Sequence, residues 1–266
     1  MLVQQHTIKT PVTMSGVGLH TGVQTTMTFK PAPENYGIRF RRIDVGGTPE
    51  IPADVDHVIG VDRGTTIGIG DVRIHTVEHV LAAIVGLQVD NVIIELDNIE
   101  PPIADGSSKP FVDMILESGV QEQEAPKDYL IIDQTIRYQN EEKGVEIVAL
   151  PTDDFRVTVL IDYHNPALGS QHTGLFNLEK EFITEFAPSR TFCFLHEVEM
   201  LRDKGLIRGG NLDNAIVIVD RDLSEDELKK LAHKLGIDHA LILGTTGVLN
   251  EKRLHYKNAP ARHKLV

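Results

Sequence analysis

HTVEHVLAAIVGL at residues 75–87, followed at once by QVDNVIIEL at residues 88–96, sets a helical repeat directly against a strand repeat. At about 100° per residue with Val77 at 0°, Val80, Leu81, Ile84 and Val85 fall at about 300°, 40°, 340° and 80°, one apolar arc. That predicts an amphipathic helix over residues 76–87 with this arc buried in its own domain. Residues 89–96 are rich in β-branched side chains and read as a strand. Glu78 falls at about 100°, on the edge of the arc, and His79 at about 200°, opposite it. The helix therefore aims His79 outward with Glu78 beside it.

Working outward, residues 23–29 and 38–41 read as strands, and residues 110–118 as a helix stopped by Gly119. The polar stretch QEQEAPKD, residues 121–128, reads as a linker. Strands are expected again at 129–138, 145–150, 155–162 and 214–220. A helix is expected at 196–204, ended by Gly205. Ser224 and Glu227 form a capping box for a helix at 225–235, with Gly236 as its stop. Strands and helices do not alternate as βαβα, so the fold class is α+β: two similar two-layer α/β sandwich domains, 1–126 and 127–266.

The 266 residues are 41% hydrophobic and 24% charged, as in a soluble protein with a real core. A formal charge of −13 argues against a nucleic-acid or anionic-membrane partner, since both reward clustered Lys and Arg. One cysteine, Cys193, excludes an internal disulfide and a thiolate-rich zinc site. A metal would need His and carboxylate ligands, which twelve histidines allow. No run approaches the roughly 18 apolar residues of a membrane span. The first residues do not read as a secretory signal, and the expected location is cytoplasmic.

A histidine ligand beside a carboxylate base is what zinc-assisted hydrolysis requires. By itself the Glu78–His79 pair is equally a solvated helix face. The string also matches H-x-x-E-H, the inverzincin protease signature, with His75 and His79 as ligands. At the other end, residues 258–266 read NAPARHKLV. Asn258 can cap and Pro260 suits a first turn, so a helix begins there with His263 in its first turns. The i+4 neighbour that shares the face of His263 would be position 267.

Seven strings stand in order: SGVGLHTG (15–22), TVEH (76–79), DNVIIE (90–95), PPIADGS (101–107), SRTFCF (189–194), GLIRGG (205–210) and ARHK (261–264). Together they resemble the UDP-3-O-acyl-N-acetylglucosamine deacetylase family, from about Ile8 to Val266. The resemblance implies zinc-dependent removal of the N-acetyl group of UDP-3-O-acyl-N-acetylglucosamine, releasing acetate, in lipid A biosynthesis of Gram-negative bacteria. It also implies that the two domains pack through their helix layers, with a βαβ insert at about 195–215 in the second.

By the same resemblance His79 and His263 are zinc ligands and Glu78 is the general base. Lys264 holds the anionic substrate and the developing oxyanion, Thr191 bonds the scissile carbonyl, and Phe192 packs on the hexosamine. Asp162 and Tyr163 lie near the uracil, and Val198, Leu206 and Ile207 line a passage for the acyl chain. Gly210, closing GLIRGG, is grouped with the substrate-binding residues. Plainer readings stand beside these: RTFCF as a buried strand with Phe194 and Cys193 in the core, residues 195–215 as an ordinary packed helix, and Lys264 as a solvated lysine. Asp105 reads as a residue bonding turn amides, and His20 as a turn histidine with its bonds satisfied.

The family's third ligand, an Asp, would fall at 267, and its catalytic histidine beyond that. The resemblance thus implies a shortened chain lacking on the order of 40 residues of its second domain. Such a chain is expected to hold zinc weakly and to turn over little. In some lineages the enzyme is fused to an acyl-carrier-protein dehydratase. Residues 222–249 are longer than the family pattern and carry no assigned role. The remaining alternative is a non-catalytic binding module for a sugar nucleotide or acyl chain.

Overall fold

The computed structural model describes residues 3–235, 247–249 and 254–266, and shows a mixed α/β chain. In the first half the strands are β1 (Gln4–Ile8), β2 (Val12–Val17), β3 (Gln24–Pro31), β4 (Ile38–Arg42) and β5 (Glu50–Pro52). They are followed by β6 (Val58–Gly60), β7 (Thr66–Ile69), β8 (Val72–Ile74), β9 (Val92–Leu96) and β10 (Val120–Pro126). The helices are α1 (Glu78–Gly86) and α2 (Lys109–Ser118).

Five strands make the main sheet in the order β2-β3-β9-β4-β5, parallel only between β4 and β9. Its chemistry is a two-residue period: Thr25, Met27 and Phe29 of β3 are buried, while Thr26, Thr28 and Lys30 between them are partly accessible. Strand β9 sits centrally and is almost wholly buried, hence its unbroken VII run. Both helices lay their apolar stripes against this sheet. Phe29, Phe40, Ile84, Ile94, Phe111 and Ile115, each no more than 1% exposed, share one core.

Helix α1 begins at Glu78, not Thr76, because Thr76 has left-handed backbone (φ 55°) and cannot continue a right-handed helix. Its buried stripe is Val77, Val80, Ala83 and Ile84; Val85, expected in the arc, is 48% exposed. The expected linker at 121–128 is strand β10 as far as Pro126, paired antiparallel with β1. Its polar composition misled because most of its side chains face solvent while the backbone carries the pairing.

The second half contains β11 (Ile136–Asn140), β12 (Val145–Ala149), β13 (Val157–Asp162), β14 (Ser170–Leu175), β15 (Phe192–Phe194) and β16 (Ile216–Ile218). Its helices are α3 (Leu178–Glu181), running into a π-type turn at Phe182–Phe186, then α4 (Leu195–Asp203), α5 (Glu225–Leu235) and α6 (Ala259–Leu265). Among the described residues the strands pair as two-stranded ribbons, β11-β12, β13-β14 and β15-β16. The strand expected at 129–138 starts only at Ile136; Tyr129, Leu130 and Ile131 are exposed and pair with no strand among the described residues.

Strands β15 and β16 are parallel and joined through α4, a βαβ unit where an insert was expected. The capping box before α5 forms, with the Ser224 amide donating to Glu227 Oε2 at 2.9 Å and the Glu227 amide to Ser224 Oγ at 3.3 Å. Gly236, its expected stop, lies outside the described residues, as does much of 222–249.

The halves are clamped at the DGS turn. Asp105 accepts from the Ser107 amide at 3.0 Å, as expected of a turn residue. Gly106 has φ 82° and its carbonyl accepts from the Thr191 amide at 2.7 Å. A β-carbon there would stand 1.8 Å from the Asn214 carbonyl oxygen. Gly106→Ala should therefore cost about 2–3 kcal/mol, from overpacking plus left-handed strain. Urea unfolding reads this directly, and an unchanged midpoint would show that the clamp yields freely.

Candidate functional site

Helix α1 presents His79 to α6, which packs on β13, β14 and the π-type turn. The rings of His79 and His263 meet edge to face with centroids 5.2 Å apart. His79 does not face solvent: it is 4% exposed, because the side of α1 opposite the sheet is covered by the C-terminal segment. Burial and the neighbouring His263 push its pKa down to about 3, and burial brings His263 to about 4. Both rings are thus neutral near pH 7 and carry a lone pair.

The Nδ1 of His263 lies 3.1 Å from the Ser189 carbonyl oxygen. An oxygen can only accept, so Nδ1 carries the proton and Nε2 is left as the ligating atom. The His79 ring makes no hydrogen bond among the described residues. Two imidazoles on one tetrahedral zinc have ring centroids roughly 5 Å apart, so the pair fits such an ion. Among the described residues no third His, Cys, Asp or Glu joins them.

Glu78, first residue of α1, accepts from the Thr65 amide at 2.9 Å through Oε2. Burial raises its pKa, which improves it as a proton acceptor. It lines a cavity of about 330 Å³ whose other walls include Leu81, Ala82, Phe155, Leu175 and Phe182. Gly64 closes over it: a β-carbon there would stand 3.1 Å from Glu78 Oε1 and 3.7 Å from His20 Nε2. His20 is not the satisfied turn residue expected, since its Nδ1 is buried without a partner among the described residues.

His75 is engaged elsewhere. Its Nδ1 is 2.9 Å from Thr66 Oγ1 of β7, and its amide donates to the Ile99 carbonyl at 2.9 Å. The inverzincin reading needs His75 beside His79; the ring that meets His79 edge to face is His263.

Phe192 stands edge-on to His263 at 6.2 Å, and Tyr163 edge-on to Phe192 at 6.0 Å and to Phe194 at 5.5 Å. These rings make a wall running away from the histidine pair. Asp162 is spent on its hairpin turn, accepting from the His164 amide at 2.7 Å and from Ser170 Oγ at 2.6 Å. The Thr191 backbone bridges Gly106 and Ile216, and its side chain is partly accessible. Lys264 is exposed on α6, next to His263.

Val198, expected to line a passage, is 4% exposed and packs with Leu195, Val217 and Leu231 in a small core, so it has no surface to offer. Leu206 and Ile207 are partly accessible, and the Gly210 amide donates to the Ile207 carbonyl at 3.0 Å. The Cys193 thiol is pushed up to about 12 by burial, consistent with a packing role.

Sequence reasoning missed Glu100, which is wholly buried, and the ion pair of Arg63 with Glu197 at 2.5 Å. The pair joins residues 134 positions apart, and no periodicity encodes such a contact. Only the two prolines after Glu100, which exclude helix there, hinted at a special turn.

A family model described as UDP-3-O-acyl N-acetylglycosamine deacetylase matches residues 5–231. The bifunctional enzyme LpxC/FabZ of Chlorobaculum tepidum is 58% identical over 267 residues, covering 100% of this chain and 57% of that protein. Its counterpart in Bacteroides thetaiotaomicron is 41% identical over 265 residues, with 100% and 57% covered. The UDP-3-O-acyl-N-acetylglucosamine deacetylase of Teredinibacter turnerae is 39% identical over 254 residues, covering 92% of this chain and 83% of that protein. The chain thus spans little more than half the length of the bifunctional relatives. The segment carrying His263 lies beyond the family-model match but within the stretch shared with those relatives.

Proposed function

The chain belongs to the UDP-3-O-acyl N-acetylglycosamine deacetylase family, and from that premise we propose that it hydrolyses the N-acetyl group of UDP-3-O-acyl-N-acetylglucosamine, releasing acetate, in lipid A biosynthesis. The observation that carries the reading is the convergence of His79 and His263, 184 positions apart, to 5.2 Å with Glu78 adjacent to the first. A zinc ion held by these two neutral imidazoles would supply Lewis-acid polarisation of the amide carbonyl and of water.

The chain's own residues supply the rest. Glu78 takes the proton of the attacking water and is held for this by the Thr65 amide. The Thr191 hydroxyl and the Lys264 ammonium offer a donor and a fixed charge to the developing oxyanion. Phe192 packs against the hexosamine, and Tyr163 with Asp162 borders the uracil end. Leu206 and Ile207, next to Gly210, meet the acyl chain, whose buried CH₂ groups each contribute about 0.8 kcal/mol.

We take residues 1–126 and 127–266 as two α+β units meeting at α1 and α6. Supporting this is the packing of α6 between β13-β14 and the His79 face. No helix among the described residues is long and apolar enough to cross a membrane. The names of the bifunctional relatives support a linked second activity, an acyl-carrier-protein dehydratase, in the gene as a whole.

Zinc titration together with an acetate-release assay tests the proposal. His79→Ala and His263→Ala should each weaken zinc binding by more than about 10–100-fold, the loss typical of merely supporting groups. His75→Ala should leave it within a few-fold. Loss of zinc from His75→Ala with retention in His263→Ala would overturn the ligand assignment. The alternative is a non-catalytic binding module for a sugar nucleotide. That reading would show UDP-sugar binding with no acetate release.

A further inference from the structure

Glu100, 0% exposed, accepts from four groups. The His20 amide lies 3.0 and 3.2 Å from its two oxygens and the Thr21 amide 2.8 Å from Oε2. The hydroxyls of Thr21 and Thr76 each stand at 2.7 Å. No Lys, Arg or His side chain pairs with it among the described residues. A buried carboxyl group is tolerable only while its lone pairs stay occupied, so it holds its donors tightly.

Those donors come from two segments that border Glu78. One is the loop at residues 18–22, whose Gly18 has no room for a side chain: a β-carbon there would stand 2.4 Å from Glu100 Oε2. The other is Thr76, a β-branched residue in the left-handed region two positions before α1. On its far side the loop receives the insert, with the Gly209 amide donating to the Leu19 carbonyl at 3.0 Å and the Arg208 amide to the His20 carbonyl at 3.3 Å. A β-carbon on Gly209 would stand 2.2 Å from the Gly18 carbonyl oxygen, so loop and insert are in close register.

We propose that Glu100 is a positioning residue: a buried carboxylate without a cation that locks the 18–22 loop and the Thr76 turn, and through them sets the stance of Glu78 and the seat of the insert's 206–210 loop. It touches no substrate. Its effect on turnover rests on the deacetylase reading; its effect on the two segments does not.

The test is Glu100→Gln, which keeps the shape but places an NH₂ group among N–H and O–H donors. Amide hydrogen exchange in the purified protein should speed up at least about tenfold at His20, Thr21 and Val77, while the β1-β10 amides keep their protection. For acetate release, kcat should fall about 10–100-fold, as for lost supporting groups, with KM within threefold. Thr76→Gly in the Glu100→Gln background should recover part of kcat, because glycine holds a positive φ without the carboxylate. Should Glu100→Gln not fold, Thr76→Val removes one hydroxyl donor at constant shape and should loosen Val77 alone.

Unchanged exchange at His20 and Thr21, or uniform acceleration everywhere with a lowered unfolding midpoint, would overturn the proposal. Absence of acetate release from the unsubstituted protein would count against the deacetylase reading, and the exchange result would still decide the role of Glu100.

Discussion

Glu78→Gln is expected to lower acetate release by about 10²–10⁴-fold, the range a positioned general base contributes. The glutamine side chain keeps the shape and can still accept from the Thr65 amide, so α1 and the cavity beside it should persist. Zinc binding should persist too, because Glu78 is no part of the His79–His263 pair. The measurement that matters is therefore kcat at equal zinc content and equal unfolding midpoint. A variant within about tenfold of the unsubstituted protein would remove Glu78 from the proton-transfer step.

Acid should destabilise the metal-free protein steeply, and His79 should account for much of it. Its folded pKa, about 3, lies below the ordinary 6.5, so between those values the unfolded chain binds a proton that the folded chain refuses. The stability is complete above pH 6.5 and is lost as the pH falls, by about 1.4 kcal/mol per unit from this residue. By pH 4 the loss is about 3 kcal/mol from His79, with a smaller share from the partly accessible His263. Urea unfolding without metal at about pH 7, 6 and 5 gives the slope. His79→Gln should flatten it by about one proton's worth; parallel lines for the two proteins would show that His79 is not buried neutral. Added zinc should steepen the dependence, since protons and metal compete for the same lone pairs.

Local chemistry made some of this legible in advance. The 3.6-residue repeat located α1, Gly119 marked the end of α2, and Ser224 with Glu227 announced the start of α5. Short strings brought out Glu78, His79 and His263 as a candidate set. The same reasoning misread β10, because strand pairing is carried by backbone groups that are alike in every residue. Nor does an apolar side chain such as Val198 announce whether it meets a ligand or another helix.

What the amino-acid order determined, then, is whatever depends on neighbours a few positions away: helix periods, caps, stops, and which side chains can ligate, accept a proton or bear charge. Tertiary structure alone decided that His79 is enclosed, that His75 turns to Thr66, and that Glu100 draws four donors around one carboxylate. Each of those outcomes rests on groups brought together from distant positions, His79 against His263 and Glu100 against His20 and Thr76. Burial and hydrogen-bond partnership belong to the assembled layers, so no reading of adjacent residues contains them.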